Sequence, residues 1–170
     1  MDSIKNLVFL GMMGSGKSSV GSLVSKKLNL PFIDIDSLVV KDTGMSISEI
    51  FKNKGENYFR VLEEKITLKT LKNINTVISL GGGGFINKKI RKEILKNHFS
   101  FWLDVDEPTL IKRIRGSKKR PIAFNSTLPE LSEIIQNRSK IYSSAKFKIN
   151  CNKLSITQIV NNIIKIYELN

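Results

Sequence analysis

The sequence predicts an α/β fold: a three-layer sandwich with a central parallel sheet covered by helices on both faces. Short apolar runs of strand length alternate with longer stretches of helical apolar spacing. Parallel neighbours need a crossover connection, and the helical stretches supply one between successive runs. With 170 residues and 41% hydrophobic content, the chain has the size of one domain able to bury a core and a cleft. A single domain over residues 1–170 is expected, without internal repeat or linker.

The elements follow in order. Ile4 to Leu10 is an apolar run ending in glycine and reads as a buried strand, and Lys17 to Leu28 has helical spacing at Val20, Leu23, Val24 and Leu28. Phe32 to Ile35 is a second strand, with Pro31 at its start, where a missing amide donor does least harm. A helix starting near Ser37 is followed by helices over Ser46 to Lys54 and Glu56 to Leu71, the first with a Ser46/Glu49 capping pattern and the pair divided by Gly55. Thr76 to Leu80 is a third strand, ended by a run of glycines. Lys88 to Lys96 reads as helix, Phe99 to Val105 as a fourth strand, and Pro108 to Ile114 as a helix with proline in its first turn. Gly116 to Thr127 lacks periodicity and has a length usually tied to function, so a lid is expected over about 115–127. Leu128 to Ser144 is helical, Phe147 to Asn150 a last strand, and Ser155 to Leu169 a closing helix.

Composition excludes several function classes. The formal net charge is +13, but the lysines are scattered through almost every segment instead of forming a basic arm, which reads as a solvated surface and not as a nucleic-acid face. Cys151 is the single cysteine and cannot form an intrachain disulfide; the N-terminus lacks an apolar signal run. No segment approaches the roughly 18 apolar residues of a membrane span. The expected setting is therefore the cytoplasm, with no membrane partner. Arginine is the informative cation, because a planar guanidinium is what bidentate recognition of carboxylate or phosphate requires. There are six: Arg60, Arg91, Arg113, Arg115, Arg120 and Arg138.

Gly11-Met12-Met13-Gly14-Ser15-Gly16-Lys17-Ser18 matches the P-loop pattern in full and lies between a predicted strand and a helix. Its glycines let successive backbone amides point at phosphate oxygens, and the helix that follows adds its positive end. Gly14, Ser15, Gly16, Lys17, Ser18 and Ser19 are the candidate nucleotide contacts. Lys17 should reach the terminal phosphates, and the Ser18 hydroxyl is a candidate ligand for the Mg²⁺ that accompanies ATP. Asp34 and Asp36 stand two apart, so in an extended segment both point to the same side, next to the phosphate loop. Asp36 is the candidate that positions and deprotonates an acceptor hydroxyl, and Asp34 the candidate that holds magnesium through its waters. Either could instead cap the helix starting near Ser37.

With these motifs come Gly55-Glu56-x-x-Phe59-Arg60-x-x-Glu63, Ser79-Leu80-Gly81-Gly82-Gly83, Arg120-Pro121 and Arg138-x-x-x-Tyr142. Together they span Gly11 to Tyr142, and on them the chain resembles the shikimate kinases. The resemblance implies a five-stranded parallel sheet in the nucleoside monophosphate kinase arrangement of P-loop proteins. It also implies MgATP-dependent phosphorylation of the 3-hydroxyl of shikimate, on the route to aromatic amino acids. By the same resemblance, Arg60 and Arg138 grip the shikimate carboxylate, while Asp36 and the backbone of Gly81, Gly82 and Gly83 receive its ring hydroxyls. Glu63, one helical turn beyond Arg60, is expected to orient it; the resemblance implies that Arg113 lies against the adenine and that Arg120 swings from the lid onto the phosphates to serve, with Lys17 and Asp36, in catalysis. The helices over about 37–72 become the substrate-binding segment. The partners expected are shikimate and ATP, and the chain is expected to be a monomer.

The chain departs from the family pattern at Ile122-Ala123, where Leu-Leu is common, and at Asn152 to Ile156, where a proline is often found. A gluconate kinase or nucleoside monophosphate kinase of the same fold is the nearest rival, and a silent nucleotide-binding module or basic nucleic-acid binder the rival from another class. His98 lacks a partner at metal-ligand spacing and is read as a packing or surface residue, Cys151 as a space filler and Trp102 as core.

Overall fold

The computed structural model describes residues 5–116 and 126–170. Strand β1 (Leu7–Leu10) is the apolar run LVFL and is fully buried, as a central strand covered on both faces must be. Around it lie β2 (Phe32–Asp34), β3 (Val77–Ser79), β4 (Phe99–Asp104) and β5 (Phe147–Asn150), in the order β2-β3-β1-β4-β5 and all parallel. Side chains alternate across a strand, so β1 divides the core in two. Val8 and Leu10 face one apolar cluster with Ile35, Ile50, Phe59, Ile78, Trp102 and Tyr142. Leu7 and Phe9 face the other with Val20, Val24, Phe101, Val160 and Ile163. These two clusters are the interfaces of the expected three-layer sandwich.

Helices α1 (Lys17–Leu28) and α8 (Ile156–Glu168) contribute to the second cluster. The first is covered by α2 (Ile35–Thr43), α3 (Ile47–Lys54), α4 (Glu56–Thr70), α5 (Lys88–Asn97), α6 (Glu107–Arg115) and α7 (Leu128–Tyr142). The expected capping box is present: Ser46 accepts from the Glu49 amide, and the Glu49 carboxylate accepts from the Ser46 amide. A buried asparagine ties the layers together. Asn6 donates to the carbonyls of Leu71 and Asn73 at 3.2 and 2.7 Å and accepts from the Thr76 amide at 3.0 Å, fixing the path from α4 into β3. Trp102 lies in the core as expected, and Cys151 packs between the two clusters.

One local expectation is corrected. The second strand ends at Asp34, and a helix begins at Ile35 instead of near Ser37. The reason is a cap: Asp34 Oδ1 accepts from the Ser37 amide at 3.0 Å, while the apolar Ile35 is fully buried in the core. Asp36 therefore stands in the first turn of α2 and not on an extended strand end. The glycine run that ends the third strand leads into a 3₁₀ turn over Gly84–Ile86, with Gly84 N–H donating to Gly81 O and Ile86 N–H to Gly83 O. Of the remaining boundaries, several fall where expected, among them both ends of Lys17–Leu28 and of Phe147–Asn150, and the others shift by one to three residues at fraying ends, the largest being the first strand, which starts at Leu7. Arg120 and most of the expected lid lie outside the described residues.

Candidate active site

The carboxyl ends of β1, β2 and β3 carry the residues singled out above. The loop after β1 turns into α1 at Gly16, whose φ of 95° is a left-handed conformation that a side chain would strain. Lys17 is buried, and its ammonium donates to the carbonyls of Gly11 and Met12, both at 3.0 Å, so it lies along the inner wall of the loop. Ser18 and Ser19 are exposed in the first turn of α1. From α6, Arg113 donates to Gly14 O at 3.0 Å, which seats a guanidinium on the rim of the phosphate loop.

Ser18 Oγ donates to Asp34 Oδ2 at 2.5 Å. A hydroxyl and a carboxylate oxygen so close are hard donors of the type magnesium takes. The described residues contain no cluster of three or more His, Cys, Asp or Glu side chains able to enclose a metal. One hydroxyl and one carboxylate oxygen fit a cation that draws most of its shell from water and phosphate oxygens, and the two residues to hold it would be Ser18 and Asp34.

Next to this pair lies an acidic corner. A Cβ placed on Gly81 would come within 2.6 Å of both Asp36 Oδ1 and Glu63 Oε1, so these two carboxylates converge over that residue. Glu63 is only 2% exposed, and its Oε1 has no hydrogen-bond partner among the described residues. Burial, then the neighbouring Glu63 and Asp34, push the Asp36 carboxyl up to about 6, with Lys17 and Arg60 pulling the other way. A carboxyl held there is ionised for most of the time near neutral pH and is a far better proton acceptor than an ordinary aspartate.

Arg60, on α4, donates from Nη1 to Glu63 Oε2 at 2.7 Å and from Nε and Nη2 to Glu56 Oε1 at 3.2 and 3.1 Å. Burial works against its charge, and the two glutamates more than offset that, raising its pKa above the usual value. Gly83 lets the guanidinium lie against the main chain: a Cβ there would collide with Arg60 Nη1. Arg138, on α7, donates to Gly82 O at 3.3 Å, and the buried Tyr142 hydroxyl donates to the same oxygen at 2.5 Å. Burial pushes the Tyr142 phenol up to about 12, so it stays a neutral donor. The two arginines line one cavity of about 290 Å³ with Glu56, Glu63, Gly83, Ile86 and Asn87. A larger concavity of about 390 Å³ lies between β5 and α8, at the far edge of the sheet from β2. Its Lys148 is committed to Asp104 at 3.0 Å, and it holds none of the groups just described.

The fold thus brings together the expected residues of the phosphate loop, Asp34, Asp36, the glycine run, Arg60 and Arg138. His98 stays apart: its side chain is 8% exposed and lies 3.9 Å from Glu93. Three features are additions to the sequence reading: the hold of Glu56 on Arg60, the approach of Glu63 to Asp36 across Gly81, and the Tyr142 clamp on Gly82. The first had a readable signal, since Glu56 and Arg60 are spaced i,i+4 on one helix.

A model of the shikimate kinase family matches residues 13–168, nearly the whole chain. The chain belongs to the shikimate kinase family. A curated shikimate kinase from Persephonella marina is 37% identical over 161 residues, covering 95% of this chain and 98% of that one. The crystal structure of shikimate kinase from Aquifex aeolicus is 36% identical, covers 96% of each chain and superposes with a TM-score of 0.87. A shikimate kinase from Acinetobacter baumannii in complex with shikimate superposes with a TM-score of 0.92 over 99% of this chain and 96% of that one; at 23% identity it speaks for the fold alone. The shikimate kinase architecture, a five-stranded parallel sheet of the nucleoside monophosphate kinase type, is the one found here.

Proposed function

We propose that the enzyme transfers the terminal phosphoryl group of ATP to the 3-hydroxyl of shikimate, giving shikimate 3-phosphate and ADP for aromatic amino acid synthesis. The observation that carries this reading is the placement of Arg60 and Arg138 on one cavity of about 290 Å³, room for a single ring acid, next to the loop that holds Lys17. Two guanidiniums can take a carboxylate by charge-assisted bonds, and the half-buried Gly82 and Gly83, lacking side chains, leave room for ring hydroxyls to approach the main chain.

In this reading Asp36 orients the acceptor hydroxyl and takes its proton as the new O–P bond forms and the bond to the ADP oxygen breaks. Lys17 and the amides of the loop offset charge on the phosphates, and Arg113 steadies the nucleotide side of the loop. Arg120 is assigned the same electrostatic task from the lid. Ser18 and Asp34 would hold Mg²⁺, whose chemistry is to neutralise phosphate charge. We read the enzyme as a cytoplasmic monomer acting on small molecules, without nucleic-acid or membrane partners. No helix among the described residues is long and apolar enough to cross a membrane.

A coupled assay with shikimate, gluconate and AMP as competing acceptors tests the assignment. Shikimate should lead in kcat/KM by at least about 10³-fold: gluconate and AMP also carry an anion the arginines can pair, but their length and shape leave the polar groups placed for a compact ring unmatched. Preference for gluconate or AMP would overturn it.

A further inference from the structure

Arg60 is held by two carboxylates of unlike character. Glu63 is buried, with a side chain 3% exposed, and makes one short bond of 2.7 Å to Nη1. Glu56 has a side chain 55% exposed at the mouth of the cavity, and its single oxygen Oε1 takes both Nε–H and an Nη2–H at 3.2 and 3.1 Å. The Nε/Nη2 edge is one on which a planar carboxylate makes two parallel bonds, one to each of its oxygens. Glu56 covers that edge in a poorer geometry, with one oxygen shared between two donors. Exposed i,i+4 pairs on a helix are weak and screened, whereas breaking a buried pair leaves a stranded charge. The Glu56 bond can therefore be exchanged at little cost, and the Glu63 bond cannot.

Charge points the same way. Arg60 and Arg138 already face Glu56, Glu63 and, over Gly81, Asp36. An acid that entered without moving any of them would add another carboxylate to an already acidic pocket.

We propose that Glu56 is a resident stand-in for the substrate carboxylate: it covers the Nε/Nη2 edge of Arg60 and swings out to solvent when a small acid enters between Arg60 and Arg138. The proposal rests on the reading of those two arginines as the anchors of the acid. Glu63 keeps the guanidinium aimed throughout, so the exchange needs no movement of α4. Glu56 is then a specificity-determining residue that acts through Arg60. A carboxylated ring replaces the bond it displaces, whereas a neutral polyol of the same size displaces Glu56 without replacing it.

Titration calorimetry of shikimate binding to the intact enzyme, with steady-state KM for shikimate and for ATP, tests this on Glu56→Ala and Glu56→Asp. Alanine removes the competitor; aspartate keeps the charge on a stem too short to reach Arg60. Both variants should bind shikimate about twofold to fivefold more tightly, the scale of a weak exposed pair, with shikimate KM falling and ATP KM unmoved. Weaker or unchanged binding in both would overturn the proposal and make Glu56 a support for Arg60. Tightening in alanine alone would also overturn it, since removal of a distant negative charge would then suffice. Arg60→Ala, checked for folding by its ATP affinity, separates the two levels: if it still binds shikimate like the parent, the anchor reading fails and the exchange with it.

Discussion

The phosphate loop and the acid cavity sit side by side but are built by different means. The loop is a contiguous stretch of eight residues whose function lies in its backbone, set by left-handed glycines such as Gly16 and closed by Lys17 on its own carbonyls. The cavity is assembled from α4, the glycine run after β3 and α7, which are far apart in sequence, and its function lies in side-chain charge. A backbone site tolerates surface change but not a change of conformation; a charge site depends on how each guanidinium is balanced by its neighbours. Damage to the two should separate in ATP and shikimate affinity.

The largest expected effect falls on the group between them. Asp36→Asn should lower kcat by roughly 10²-fold or more, the usual contribution of a general base, with ATP affinity retained. The same change should stabilise the fold. A carboxyl whose folded pKa is raised to about 6 favours the folded state below its unfolded value and loses that favour as pH rises through 6. Near pH 8 the asparagine variant should thus gain on the order of 1–3 kcal/mol in denaturant unfolding, and near pH 4 almost nothing. Lower activity with no gain at pH 8 would mean that the charge of Asp36 is better compensated than the acidic corner suggests.

A pair of alanine substitutions sharpens the contrast. At Gly83 the new Cβ would displace Arg60 from its 2.7 Å bond to Glu63, so shikimate KM should rise about tenfold with ATP KM unchanged. At Gly16 there is open space, and the cost is only the left-handed φ of 95°, on the order of 1 kcal/mol, expressed in stability and ATP binding. Equal effects of both on both substrates would erase the distinction between the two regions. The pH profile of kcat/KM for shikimate should show an acid limb with a midpoint near 6, because Asp36 must be ionised to accept a proton. A limb near 4 would assign the base elsewhere. Tyr142→Phe should have the smallest effect, about 1 kcal/mol in stability and a few-fold in shikimate KM, since Arg138 still donates to Gly82 O.

The two regions also differed in how well the sequence revealed them. The phosphate loop was readable because all of its chemistry lies in one short motif between a strand and a helix. The central strand was readable because four consecutive apolar residues fit only a position covered on both faces. Resemblance brought Arg60, Gly82 and Arg138 together, for nothing in their spacing of 22 and 56 residues does so. Asp36 stands on a helix and not on a strand, because a single side-chain cap from Asp34 overrides the alternation expected of a strand and starts α2 two residues early. The convergence of Glu63 and Asp36 over Gly81 could not be read at all. It depends on the distance between two helices, which no local pattern encodes.

Calorimetric titration of shikimate and of ATP against Arg138→Ala addresses the account most directly, because Arg138 comes from the element most distant in sequence and touches the glycine run as well as the cavity. The expected result is a loss of shikimate affinity of roughly 10²-fold, the scale of a charge-assisted contact left unmade, with ATP affinity within about twofold of the parent. Weakened ATP binding with shikimate affinity intact would contradict the account and put the acid on the other side of the phosphate loop.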